Sequence, residues 1–65
     1  MKLRCTVQGG KKILVIPSYY ADMFEEGEKY DGMTCSRVAR YLCLIVPAYR
    51  WDEFEEGKEY DVKLS

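Results

Sequence analysis

The sequence contains no histidine, and its three cysteines form no CxxC pair. A structural zinc site takes closely spaced Cys and His ligands, and a secreted disulfide scaffold uses an even set of cysteines. No stretch approaches the roughly 18 apolar residues of a membrane span, and the first twelve residues lack the apolar core of a signal peptide. These absences predict a cytoplasmic protein with no cofactor, no metal site and no membrane partner.

The chain is short: 65 residues, of which 48% are hydrophobic and 14% aromatic. A chain of this length buries only about 60% of the surface that it exposes when unfolded. We therefore expect residues 1–65 to form a single domain around one shared core.

One stretch is written twice. Residues 14–31 read LVIPSYYADMFEEGEKYD, and residues 44–61 read LIVPAYRWDEFEEGKEYD, with ten of the eighteen aligned positions identical. A match at a fixed period indicates a repeated structural unit. The sequence predicts two internal repeats, 2–31 and 32–65.

The first repeat predicts two strands, a short helix and a third strand. Residues 2–8 alternate, with Leu3, Cys5 and Val7 on the inward face, as in a half-buried strand. Gly9-Gly10 suits a two-residue turn, and 12–17 is a buried strand that a proline ends. We expect Ser18 to cap a helical turn over 19–24, Gly27 to close it, and a strand to run on from residue 29 to residue 38.

The second repeat predicts the same plan, with a strand at 41–47, a helix at 48–54 and a last strand at 59–65. The alternation slips near 36–38, which suggests a β-bulge. The predicted fold class is therefore β-rich (α+β). We expect a small closed or partly open barrel built from two β-β-α-β repeats of about 30 residues, related by an approximate two-fold axis.

Two short motifs resemble a known family. Each repeat has a strand that ends in an aliphatic residue and proline, then a short helix and a glycine-acid turn: Ile16-Pro17 with Glu26-Gly27-Glu28, and Val46-Pro47 with Glu56-Gly57-Lys58. This pattern resembles the AbrB/MazE/SpoVT swapped-hairpin regulators, and the duplication is equally similar to that of the related double-psi and other β-β-α-β barrels. That family builds its barrel from two chains, whereas this chain carries both halves. The resemblance implies a barrel and, for the first hairpin region, contacts to DNA.

Charge is segregated although the net charge is only −1. Residues 1–12 and 37–50 contain no acid, whereas all eleven acids lie in 22–31 and 52–61. A basic patch can neutralise phosphates, so one functional hypothesis is an AbrB-like DNA-binding regulator that uses Lys2, Arg4, Lys11, Lys12, Arg37 and Arg40. The alternative interpretation is a solvated strand face whose charges prevent aggregation.

The leading hypothesis is a protein partner. Tyr20 and Trp51 have no counterpart of the same type in the other repeat, and Arg50 stands where Tyr20 would recur. Tyr, Trp and Arg are enriched in binding hot spots. With the acids Glu25, Glu26, Glu55 and Glu56 they predict an acidic and aromatic binding end of a small regulator, inhibitor or adaptor. In the alternative interpretation, Trp51 fills a gap in the core.

Catalysis is not expected, because a carboxylate pair needs a pocket that so small a barrel scarcely provides. Tyr19/Tyr49 and Tyr30/Tyr60 recur in both repeats, which favours structural roles for all four. The cysteines are expected to be small buried hydrophobes. Both a monomer and a homodimer are compatible with the sequence. A third interpretation of its function is a structural or engineered duplicate that binds no ligand.

Overall fold

A computed structural model describes residues 1–64, which form six strands and two 3₁₀ helices. In chain order these are β1 (Lys2–Gln8), β2 (Lys11–Val15), η1 (Ser18–Met23), β3 (Lys29–Tyr30), β4 (Met33–Val38), β5 (Tyr41–Ile45), η2 (Ala48–Glu53) and β6 (Glu59–Asp61). Each element of the first half has a counterpart of the same type about thirty residues later. The last predicted strand is shorter than expected, and its final residue, Ser65, lies outside the described residues.

All six strands join one antiparallel sheet in the order β3-β4-β5-β2-β1-β6. The predicted β-rich class is therefore confirmed. The predicted closure into a barrel is not seen among residues 1–64, because the two edge strands, β3 and β6, each pair with a single neighbour. These edges have only two and three residues. Such short edges offer little open backbone to another chain.

The central pair, β2 and β5, divides the molecule into two faces. Leu14 lies opposite Leu44, and both are fully buried. Because successive side chains of a strand point to opposite faces, residues next to these leucines belong to the other face. The inner face carries the core: Leu3, Cys5, Leu14, Ile16, Phe24, Met33, Cys35, Leu44, Val46, Phe54 and Val62. We call the opposite side the outer face.

Two phenylalanines complete the core at equivalent places. Phe24 and Phe54 are 5% and 6% exposed, and each meets a tyrosine ring edge-on at 4.8 Å, Tyr30 and Tyr60 respectively. The hydroxyl oxygens of these tyrosines accept backbone N–H groups of the residues that follow the phenylalanines, at 2.8 and 2.6 Å. The structural role predicted for Tyr30 and Tyr60 is confirmed.

The long strand predicted over 29–38 is wrong. Asp31 and Gly32 both have positive φ, 53° and 77°, and they form a turn that folds β3 back onto β4. Asp-Gly is a strong signal for such a two-residue turn. The β-bulge predicted near 36–38 is also wrong, because β4 pairs with β5 in unbroken register from Thr34 to Val38.

Four local expectations also change. The helices are 3₁₀ rather than α, and Ser18 is the first residue of η1, with no side-chain hydrogen bond that caps it. Gly27 has φ 94°, but it opens the connection to β3 instead of ending η1, and its N–H binds the Cys35 carbonyl at 2.7 Å. Val7, predicted to point inward, is 41% exposed; it lies beyond the part of β1, Lys2–Arg4, that pairs with β6.

The three thiols, Cys5, Cys35 and Cys43, are free and buried, as predicted. Burial is the main cause that raises the pKa of all three. No helix of the described part of the chain has the length and apolar character that crossing a membrane requires.

Candidate functional site

The outer face carries two grooves whose linings correspond at seven positions of the repeat. One groove, of about 460 Å³, is lined by Lys2, Arg4, Thr6, Gln8, Val15, Pro17, Tyr19, Tyr41 and Glu59. The second, of about 360 Å³, is lined by Lys29, Gly32, Thr34, Ser36, Ile45, Pro47 and Tyr49. Every residue of the second groove is the thirty-residue counterpart of a residue in the first. We call them groove 1 and groove 2.

A tyrosine stands at the side of each groove. Tyr19 is 79% exposed and Tyr49 is 83% exposed, and both belong to the first turn of 3₁₀ helices that bury none of their residues. Pro17 and Pro47 precede these helices with extended backbone and end the strand alternation. The structural role predicted for Tyr19 and Tyr49 is therefore wrong, since neither ring joins the core.

The central strands β2 and β5 supply apolar residues to the outer face. Ile13 and Cys43 have no exposed surface, and Val15 and Ile45 are half-buried. The neighbouring strands add hydroxyl side chains, since Thr6 lies opposite Ile13 and Thr34 lies opposite Ile45. Such a surface can contact an aromatic or aliphatic side chain and offer hydrogen bonds at its margin.

The charged residues of the grooves are mostly basic. Lys2 and Arg4 line groove 1, and Lys29 lines groove 2. The acid in these linings, Glu59, is 3.4 Å from an Arg4 nitrogen, and Arg4 also donates to the Gly57 carbonyl at 2.7 Å. Both grooves are thus slightly cationic on a chain that has more acids than bases.

The six residues predicted to contact DNA do not share one face. Lys2, Arg4 and Lys11 lie on the outer face, whereas the strand register directs Lys12 and Arg37 toward the inner face. Lys12 donates from Nζ to the carbonyls of Trp51 and Phe54, at 3.0 and 2.7 Å. Arg37 lies 3.7 Å from Glu26. The sixth residue, Arg40, is exposed in the turn between β4 and β5.

Two of the residues predicted to bind a protein already serve the fold. Arg50 donates from Nη1 to the Asp31 carbonyl at 2.7 Å and pairs with Glu53 at 3.1 Å, and its guanidinium lies over the Phe54 ring at 5.4 Å. Trp51 is 36% exposed and donates from its indole nitrogen to the Val46 carbonyl at 3.0 Å.

The third aromatic of that set lies elsewhere. Tyr20 belongs to η1, packs partly against the core and contacts Tyr19, with ring centroids 4.7 Å apart. Because η1 follows β2, η2 follows β5, and these strands are antiparallel, the two helices leave the sheet at opposite ends. The fold therefore does not unite Tyr20 with Arg50 and Trp51 in a single patch.

The predicted acidic residues likewise form two groups. Glu25 and Glu26 follow η1, and Glu55 and Glu56 follow η2; all four are exposed. Glu55 pairs with Lys58 at 3.1 Å. Within residues 1–64, no three or more His, Cys, Asp or Glu side chains are grouped so that they could hold a metal ion.

The exposure of Tyr19 and Tyr49 could have been predicted from the prolines that precede them, but their recurrence in both repeats favoured a structural role instead. A tyrosine two residues after a strand-ending proline has left the strand alternation, so an inward direction cannot be assumed for it. No family model, no curated protein and no solved structure matches the chain. The resemblance to AbrB-like regulators thus stays a prediction.

Proposed function

We propose that this chain is a small non-catalytic binding protein that engages a protein partner through its outer face. The observation that carries the proposal is the matched pair of exposed tyrosines, Tyr19 and Tyr49, at the two grooves. Tyrosine is enriched at protein interfaces, where its large ring loses little conformational entropy. A regulator, inhibitor or adaptor needs no more than such a surface.

The shape of the face supports this proposal. The groove volumes, about 460 and 360 Å³, fall in the range of roughly 300–1,000 Å³ that is usual for ligand pockets. Each groove is lined by one half-buried aliphatic residue of the central strands, Val15 in groove 1 and Ile45 in groove 2. A partner segment laid across β2 and β5 would cover an apolar centre and meet polar side chains at its margins, which is the common anatomy of an interface.

The matched grooves also bear on the architecture. We infer that the two repeats are related by an approximate two-fold axis that passes between Leu14 and Leu44. Shifting each member of the central β2–β5 pairings by thirty residues exchanges Ile13–Ile45 with Val15–Cys43 and leaves Leu14–Leu44 in place. A partner that presents two similar segments would suit such a surface.

The outer face is a better surface for this function than the acidic and aromatic ends predicted from the sequence. Arg50 is held by hydrogen bonds within the chain, and Tyr20 and Trp51 belong to helices at opposite ends of the central strands. Tyr19 and Tyr49, by contrast, expose most of their surface to a partner.

Capture followed by titration tests the proposal. A protein captured from a cell extract is purified and titrated against wild type, against Tyr19→Ser with Tyr49→Ser, and against Glu55→Gln with Glu56→Gln. The tyrosine variant should bind at least about 30-fold more weakly, which corresponds to about 2 kcal/mol for a hot spot. The glutamine variant should keep its affinity, and the opposite pattern would assign the site to the acidic end.

Nucleic-acid binding is the second candidate, favoured by the cations that line the outer face. Lys2, Lys11 and Lys29 are exposed there, as is Arg40 in the nearby turn. An AbrB-like DNA-binding protein would use such a hairpin region. A titration with random duplex DNA at about 50 and 200 mM salt separates the candidates, since four phosphate contacts would weaken binding by roughly 10² over that range. Equal lack of binding at both salt concentrations would remove this candidate.

A further inference from the structure

The two 3₁₀ helices make the same backbone hydrogen bonds, and among the positions at which their sequences differ one shows the largest change in side-chain size. Ala21 of η1 corresponds to Trp51 of η2, and both carbonyls accept the backbone N–H of the phenylalanine three residues later at 3.2 Å. The Trp51 indole lies on the end of β5, where its nitrogen donates to the Val46 carbonyl at 3.0 Å. The first repeat has only a methyl group at the corresponding place.

A third groove, of about 380 Å³, lies where the first repeat lacks that indole. Its lining includes Ile16, Pro17, Ala21, Arg37, Arg40 and Leu42. Ile16 is the counterpart of Val46, so the carbonyl that would receive an indole N–H belongs to a residue of this lining. We call this groove the Ala21 notch.

The notch also differs in charge from the filled site. Arg37 and Arg40 stand where the other repeat has Val7 and Gly10, and Leu42 replaces Lys12, whose ammonium group binds η2. The result is an apolar floor with two guanidinium groups at the margin. The nearest acid to Arg37, Glu26, is 3.7 Å away, and both side chains are more than half exposed, so this pair leaves Arg37 open to a competing carboxylate.

We propose that the Ala21 notch binds a tryptophan side chain of a partner segment in which acidic residues adjoin the tryptophan. The chain itself shows the fit, because Trp51 occupies the equivalent place and is followed by Asp52 and Glu53. Arg37 and Arg40 supply charge complementarity to such acids, and charge-assisted hydrogen bonds are the strong ones. This inference rests on the proposed function in so far as the partner is a protein. The notch shares Val15, Pro17 and Tyr41 with groove 1, but Tyr19 and Tyr49 do not line it.

The probe is a peptide with the sequence of residues 48–56, AYRWDEFEE, with both ends blocked. Isotope-labelled protein titrated with this peptide should show amide shifts at Ile16, Ala21 and Leu42. Two matched peptides serve as controls: one with Trp51→Ala, and one in which every acid is replaced by its amide. The first control should bind at least about 30-fold more weakly, as for a lost hot spot, and the second should lose the dependence of its affinity on salt.

Two protein variants complete the test. Ala21→Trp supplies the missing indole from within the chain and should abolish peptide binding while the dispersed amide spectrum is retained. Arg37→Val with Arg40→Gly installs the residues of the other repeat; it should weaken binding of the acidic peptide and leave that of the amide peptide unchanged.

The outcomes separate this inference from the proposed function. Tyr19→Ser with Tyr49→Ser should leave peptide affinity unchanged, so loss of partner binding in that variant concerns the grooves alone. Absence of any shift at about 1 mM peptide, or unaltered binding by Ala21→Trp, would overturn the assignment of the notch.

Discussion

Leu14 lies directly opposite Leu44 at the centre of the sheet, and neither side chain has any exposed surface. The two residues are counterparts in the repeated sequence, so each half of the chain supplies one member of the central pair. The core therefore depends on both halves together, and neither half can complete it alone.

This dependence predicts a large cost for truncating either leucine. Leu14→Ala and Leu44→Ala should each lower the free energy of unfolding by about 2–5 kcal/mol, the usual range for a buried leucine that leaves a cavity. Urea unfolding followed by circular dichroism measures the change. Val7→Ala, at a position that is 41% exposed, is the control and should cost clearly less. A loss below about 1 kcal/mol for both leucine variants would contradict this packing.

The turn between β4 and β5 predicts a stabilising substitution. Ala39 has φ 55°, and its counterpart Gly9 has φ 58°. Since only glycine adopts positive φ without steric cost, Ala39→Gly should raise the free energy of unfolding by about 1 kcal/mol. The reciprocal change, Gly9→Ala, should lower it by a similar amount. Equal stability of both variants and wild type would show that neither turn limits stability.

The Lys12 side chain, which connects β2 to η2 by hydrogen bonds, is expected to contribute to the free energy of unfolding. Its ammonium group donates to two carbonyls of that region, and hydrogen bonds to charged groups contribute about 1.5–3 kcal/mol. Lys12→Met should therefore lower the free energy of unfolding by about 1–3 kcal/mol. Lys11→Met, at the exposed neighbouring position, should have almost no effect; if the two variants unfold alike, the Lys12 contacts do not stabilise the fold.

The buried thiols predict a loss of stability at alkaline pH. Burial raises the pKa of Cys5, Cys35 and Cys43 above the ordinary value, so the unfolded chain releases its thiol protons at lower pH than the folded chain does. The thiol contribution is complete below the ordinary thiol pKa and decreases as pH rises through the folded pKa values.

Urea unfolding from pH 7 to pH 10 measures this decrease, and a triple Cys→Ala variant is the control that should show a weaker pH dependence. The same three thiols should react slowly with Ellman's reagent until urea unfolds the chain, because a thiol must be exposed and ionised to attack it. Rapid reaction of the folded protein would contradict their burial.

Several elements could be predicted from the sequence because the signals are local. Alternation predicts the strand at residues 2–8. Proline marks the ends of β2 and β5, and Gly9-Gly10 predicts the turn between β1 and β2. The predicted barrel failed for a different reason. Closure depends on whether the edge strands β3 and β6 reach one another, and nothing in their two or three residues encodes that distance.

The site was harder to predict, because a residue that recurs in both repeats can be either part of the core or part of an exposed surface. Tyr30 and Tyr60 recur and bury their rings against phenylalanines, whereas Tyr19 and Tyr49 recur and remain exposed. The lack of a counterpart of the same type did not identify a binding residue either, since Arg50, which has none, donates a hydrogen bond to the Asp31 carbonyl within the fold. What separates these cases is the direction of a side chain after the strand ends, which a repeat pattern does not specify.

The most direct test of the outer-face proposal is the amide spectrum of isotope-labelled protein with its purified partner. We expect the largest shifts on β2 and β5, at Val15 and Ile45, and on Tyr19 and Tyr49, with little change at residues 25–28 and 55–58. Shifts confined to those two acidic segments, with the tyrosines unmoved, would contradict it.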